Sequence, residues 1–206
     1  VREYEKSAVA QLALSSCSPL TGSLEEPRLN RTSNQITECN NFNKEVMDVI
    51  ADNLSIKKVV IGSRFTLIED KSEEQIIELA NSFYVNLTLW LNEVNRPLDV
   101  AIFPPPPIPN YDPSRCIDKH LVFNLDAVNC NFNVSDFGDF YLKQALFIDV
   151  LMEKGLQVYP LERVMCPNDS CISLVENIRV YRDYGHIRNE ASEYFGKQAL
   201  KLLPNE

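Results

Sequence analysis

An α/β domain on a mainly parallel sheet is the architecture this sequence predicts, and two observations predict it. Short β-branched runs alternate with longer stretches of helical periodicity, and glycines and prolines stop the runs where a strand or helix must end. The length sets the scale: 206 residues suffice for one domain with a sizeable core, so residues 1–206 are expected to form a single unit. The apolar fraction of 45% and charged fraction of 24% are those of an ordinary globular chain.

Residues 8–14 (AVAQLAL) read as a first strand, ending in a Ser-Ser-Cys-Ser-Pro loop. Residues 40–54 carry Phe42, Val46, Val49 and Ile50 at helical spacing. Residues 57–61 form a strand, since Val59, Val60 and Ile61 are β-branched and Gly62 stops the run. The longest helix covers residues 73–94, with Ile76, Ile77, Leu79, Ala80, Phe83, Leu87 and Leu91 as its apolar stripe. Residues 98–103 are a third strand, ended by four consecutive prolines from Pro104 to Pro107. Four prolines continue neither a helix nor a central strand, so they form an extended surface loop. Residues 104–134 read as loop-rich throughout. A helix follows over 137–154, stopped by Gly155, then a strand over 156–160. Residues 178–181 are a short extended piece, and 189–203 a terminal helix ended by Pro204.

Composition excludes several function classes. A net charge of −9 disfavours a nucleic-acid or anionic-membrane surface, because lysines and arginines are scattered and outnumbered. No apolar run approaches the ~20 residues of a membrane span. The cysteines at 17, 39, 116, 130, 166 and 171 lack the close pairs of a metal site. Pairing of sequence neighbours gives Cys17–Cys39, Cys116–Cys130 and Cys166–Cys171, one of several connectivities that six cysteines allow. Sequons begin at Asn30, Asn53, Asn86, Asn133 and Asn168. Disulfides and sequons together point to an extracytoplasmic chain, lumenal or extracellular.

Only two histidines are present. His186 stands three residues after Asp183, following the extended piece and leading into the terminal helix. In that spacing a carboxylate can orient an imidazole for acid–base work on a nucleophile. A helix-capping role for Asp183 fits the same position. His120 reads as a surface residue. Tyr181 and Tyr184 fit either stacking on sugar rings or ordinary packing. No serine stands in a convincing nucleophile motif.

The combination of Cys166 and Cys171, then Tyr181-x-Asp183, a short gap, His186 and a closing helix resembles the C-terminal part of the SGNH hydrolase-like domain fused to membrane acyltransferases of the acyltransferase-3 family. Upstream, Ser16-Cys17-Ser18-Pro19-Leu20 is similar to that family's Cys-Pro-Pro segment, and the region from Cys39 to Phe42 to its cysteine before a helix. Val59-Val60-Ile61-Gly62-Ser63-Arg64-Phe65 resembles its strand ending in Arg-Trp, and Ala101-Ile102-Phe103-Pro104 its strand before a proline. Two departures stand out. The family's His-Leu-Ser is His186-Ile187-Arg188 here, and Val1-Arg2-Glu3-Tyr4-Glu5-Lys6 resembles the end of the helix that follows the family's Gly-Asp-Ser turn.

The resemblance implies a three-layer flavodoxin-like fold whose first strand and nucleophile turn precede residue 1. It implies His186 as general base and then general acid, Asp183 as its orienting carboxylate, and Gly62 and Arg64 as candidate oxyanion donors. No cofactor is implied. The implied activity is acyl transfer or esterase chemistry, probed first as acetyl transfer to a hydroxyl on a glycan or similar acceptor. The implied partner is a membrane acyltransferase domain on the same polypeptide, which would tether this one to a membrane. Two rival readings are a non-catalytic relative that binds a glycan or supports that membrane domain, and an unrelated disulfide-held secreted binding domain.

Overall fold

The computed structural model describes residues 10–14, 17–19, 33–63, 65, 68–109, 111–123, 130–183 and 185–200. Along the chain these form α1 (Ser33–Asp52), β1 (Lys58–Gly62), α2 (Glu73–Val94), β2 (Asp99–Phe103), α3 (Pro113–Val122), β3 (Phe132–Asn133), α4 (Asp139–Glu153), β4 (Gln157–Val158), α5 (Glu162–Met165), β5 (Ser170–Cys171), β6 (Leu174–Val175), β7 (Ile178–Arg179) and α6 (Asn189–Leu200).

The central sheet is parallel, in the order β1-β2-β4. All five residues of β1 face β2, from Lys58 opposite Asp99 to Gly62 opposite Phe103. Parallel neighbours need a crossover, and α2 supplies the one between β1 and β2. Helix α2 begins at Glu73 because Ser72 and Gln75 form a reciprocal capping box, with Glu73 and Glu74 complementing the helix dipole. It stops at Asn95, which takes the left-handed conformation (φ 49°). Its buried residues Ile76, Ala80, Phe83, Leu87 and Trp90 lie three or four apart, one stripe against the sheet and α4. Ile77 falls off that stripe and is 40% exposed. Phe65, Phe83 and Phe147 meet pairwise at 4.9–6.0 Å in the middle of this core.

A second core forms from segments that follow β2. Phe132, Phe137, Met165, Cys166, Cys171, Val180, Tyr181, Ala191 and Phe195 are all buried together. The β3–β5 pair is antiparallel, as is the β6–β7 hairpin. The hairpin turns at Glu176 and Asn177, both at positive φ, which is the backbone a two-residue type I′ turn requires. Gly155, at φ 84°, ends the α4 segment as the sequence suggests. Three disulfides join Cys17 to Cys39, Cys116 to Cys130 and Cys166 to Cys171.

Several elements differ from expectation. Residues 10–14 form no strand, and Leu12 is 50% exposed; apolar character alone does not make a strand without a neighbour to pair with. The first helix starts at Ser33, a turn or more before the apolar stripe declares itself, because its opening residues are polar. The stretch 104–134 is less loop-rich than expected, since it contains α3. There Asp112 accepts hydrogen bonds from the backbone N and Oγ of Ser114 (3.0 and 2.6 Å), and Pro113 supplies a preset φ. The short extended piece expected over 178–181 is present, as β7 of the β6–β7 hairpin and the bridge at Tyr181.

Candidate active site

The loop carrying Asp183 and His186 is held at both ends by backbone pairing. Tyr181 and Ile187 form an antiparallel bridge. Arg182 N donates to the His186 carbonyl and Arg188 N to that of Val180, each at 2.8 Å. The chain between is therefore a closed turn whose two polar side chains must project near each other. His186 Nδ1 lies 2.7 Å from Asp183 Oδ1. Gly185 N donates to the same oxygen at 3.0 Å, and Arg182 Nε donates to Oδ2 at 3.1 Å.

These contacts settle the electrostatics. The Gly185 amide, the His186 ring and the Arg182 guanidinium hold the Asp183 carboxyl well below the usual carboxylate range. In the His186 tautomer that carries its proton on Nδ1, that proton is donated to Asp183 and the ring lone pair lies on Nε2. Both side chains are open to solvent, His186 at 68% and Asp183 at 44% exposure. The pair has the hydrogen-bond arrangement of a base and its orienting carboxylate without, among the described residues, a water-excluding wall.

The acidity of Asp183 has a direct consequence for the loop. A depressed folded-state pKa stabilises the folded turn above the ordinary carboxylate pKa, and that contribution fades as pH falls towards the folded value. In a 13C NMR titration the Asp183 carboxylate is expected to titrate below the other exposed aspartates. A midpoint at the ordinary value would show that the three donors do not act together.

Tyr181 anchors this loop to the sheet. Its ring is 2% exposed, packed 5.8 Å from Phe132, and its hydroxyl donates to the buried Pro107 carbonyl at 2.7 Å. Burial pushes its hydroxyl pKa up, with Tyr111 adding to the shift. Pro107 belongs to the proline run that leaves the carboxyl end of β2; this run is extended but not the surface loop expected, since Pro104 and Pro107 are buried. The Asp183 loop is thereby tied to the sheet edge where open α/β folds place their ligands. Sequence reasoning left Tyr181 between sugar stacking and packing, and the structure assigns it to packing. Tyr181→Phe is expected to cost about 1–3 kcal/mol, because it strands a buried carbonyl. Denaturant unfolding measures this, and a change within ~0.5 kcal/mol would show the bond to be dispensable.

The other sequence candidates separate. Gly62 ends β1 opposite Phe103, on the same sheet edge, and a Cβ built on it would sit 3.9 Å from the Phe103 carbonyl oxygen. Arg64 and Tyr184 lie outside the described residues. His120, expected at the surface, is half-buried: its ring packs beside the Cys116–Cys130 bridge, and its Nδ1 is buried without a hydrogen-bond partner among the described residues. Those sulfurs are spent in the disulfide, which leaves one imidazole and no thiolate there as a metal donor. Arg182 and Gly185 contact Asp183 but were not singled out from sequence. Their signal, an aspartate followed two residues later by glycine, is the ordinary Asx-turn pattern.

The family profile for the SGNH domain that is fused to AT3 domains matches residues 2–201. The chain belongs to that SGNH family. No curated protein matches it. Among solved structures, the domain is similar to the periplasmic domain of a lipopolysaccharide acetyltransferase from Salmonella ser. Paratyphi A, with a TM-score of 0.65 and 14% identity over 90% of this chain and 68% of that one. At that identity the likeness shows the fold. It agrees with the three-layer SGNH fold that the sequence predicts, with the parallel β1-β2-β4 sheet at its centre. No described helix is long and apolar enough to cross a membrane.

Proposed function

We propose that this SGNH domain is the extracytoplasmic part of an acyltransferase, moving an acyl group, with acetyl the first to test, onto a hydroxyl of a glycan or similar acceptor. The observation that carries the reading is the 2.7 Å contact between Asp183 Oδ1 and His186 Nδ1, in a turn tied by Tyr181 to the sheet's carboxyl edge. The family model, an SGNH domain fused to AT3 domains, supports an acyltransferase partner on the same polypeptide, which in this reading tethers the domain and delivers the acyl donor. Three disulfides fit an oxidising, extracytoplasmic setting.

In this reading His186 Nε2 takes the proton of a serine hydroxyl as its oxygen attacks the acyl carbonyl. That serine is the one the family resemblance implies in a Gly-Asp-Ser turn, and its position is what the test below determines. The imidazolium, paired with Asp183, returns the proton to the leaving group. The acceptor hydroxyl then gives its proton to His186 as its oxygen attacks the acyl-serine, and the imidazolium passes that proton to the departing serine oxygen. Backbone amides stabilise the oxyanion, with Gly62 a candidate among them. The open exposure of the pair supports a second piece of the full protein closing the site, because such chemistry is strongest where water is excluded.

The test is fluorophosphonate labelling of the full-length protein followed by peptide mapping. Label on a single serine, lost in His186→Ala, is the expected result. Absence of label in a folded protein would instead favour the non-catalytic reading, a domain that binds a glycan or supports its membrane partner.

A further inference from the structure

Five sequons occur in the chain, and the structure sets one of them apart. Asn53-Leu54-Ser55 directly follows α1, and all three residues are exposed, Leu54 at 67%. Both the backbone N and the Oγ of Ser55 donate to Asn53 Oδ1, at 3.1 and 2.7 Å. This Asx turn engages the carboxamide oxygen within its own loop, and Asn53 is exposed, so Nδ2 stays available to a reagent. Arg96 pins the loop from beneath: its Nη1 donates to the Ile56 carbonyl at 2.6 Å, and its Nη2 to those of Ile50 (2.5 Å) and Asn53 (3.1 Å). A cation on the last carbonyls of α1 also complements that helix's dipole. The acceptor amide is thus displayed on a fixed loop.

The other sequons are placed differently. Asn86 sits within α2 beside the buried Leu87, in the groove between α1 and α2 with Asn43, Met47 and Trp90. Asn133 and Asn168 are exposed but adjoin the β3–β5 pair, in the half of the molecule that carries the Asp183 turn. Asn30 lies outside the described residues. The Asn53 loop leads into the amino end of β1, opposite the carboxyl ends to which Tyr181 ties the candidate site. A large substituent there leaves that site open.

We infer that Asn53 is an N-glycosylation site, modified in a eukaryotic secretory compartment. The co-reactant is a lipid-diphosphate-linked oligosaccharide. Asn53 Nδ2 attacks the anomeric carbon; a C–N bond forms, the bond from that carbon to the phosphate oxygen breaks, the lipid diphosphate leaves, and the amide gives up one proton. The inference rests on extracytoplasmic placement and stands apart from the acyl-transfer reading.

The experiment uses the full-length protein isolated from its own membranes. Peptide:N-glycosidase treatment in 18O water, followed by peptide mapping, is expected to convert residue 53 to labelled aspartate. Ser55→Ala should remove that mark and one glycan step on a gel, while Ser55→Thr should keep both. The conservative variant guards against a misfolding artefact. Recovery of residue 53 only as unmodified asparagine in the mature protein overturns the inference, whatever the state of the other four sequons.

Discussion

His186→Ala in the full-length protein is expected to lower acyl transfer by about 10³–10⁴-fold, with the fall in kcat rather than KM. His186 is 68% exposed and its side chain meets Asp183 at the loop surface, so its removal should change folding stability by no more than ~0.5 kcal/mol. An effect on rate without an effect on the melt is what distinguishes a base from a packing residue. Asp183→Asn should cost ~10²–10⁴-fold, because the amide can still accept from Gly185 N but no longer balances an imidazolium. The double variant should be little worse than His186→Ala, since the two groups act as a unit. Full activity in either single variant would remove the pair from the mechanism and turn attention to a binding role.

How far the site was legible in the sequence follows from what held it. The spacing of Asp183 and His186 is visible in the sequence, but it is compatible with a helix cap as readily as with a catalytic pair. What brings Nδ1 to 2.7 Å from Oδ1 is the Tyr181–Ile187 bridge and the buried Tyr181 hydroxyl on Pro107, a contact across 74 residues. Non-local contacts of that kind leave no local pattern. The long elements were easier, because each carries its own signal: α2 has Ser72 and Gln75 at its start and a stripe of apolar residues along it. Helix α3 is hard to read from sequence although Asp112-Pro113-Ser114 is a capping signature, because the nearby proline run and cysteines make the whole stretch resemble a loop. Over residues 10–14, the described part of the strand expected at 8–14, the expectation failed for the opposite reason. Its apolar residues are real, but a strand exists only through a paired neighbour, and residues 10–14 have none among the described strands.

Reduction of the disulfides should produce the largest stability change available in this domain. Cys17–Cys39 and Cys116–Cys130 close loops with sequence separations of 22 and 14 residues. Loop-entropy reasoning gives each about 3 kcal/mol, which for a domain of this size corresponds to roughly 6–12 °C in Tm per bridge. The third bridge spans five residues and should contribute less, about 2 kcal/mol. Its effect on activity should nonetheless exceed that of the other two. Cys171 is fully buried in the same cluster as Tyr181, and two residues later the Ser173 carbonyl accepts from Val180 N at 3.0 Å. Val180 in turn accepts from Arg188 N, closing the turn that presents Asp183 and His186. A Cys166→Ser/Cys171→Ser variant should therefore lose acyl transfer at temperatures where the domain remains folded, whereas Cys17→Ser/Cys39→Ser should lose activity only with the fold. Melting followed by circular dichroism, with activity read on the same samples, separates the two. An unchanged Tm after complete reduction would contradict the stabilising role of the longer bridges, and a Cys166→Ser/Cys171→Ser variant with undiminished rate would show that the small loop does not position the pair.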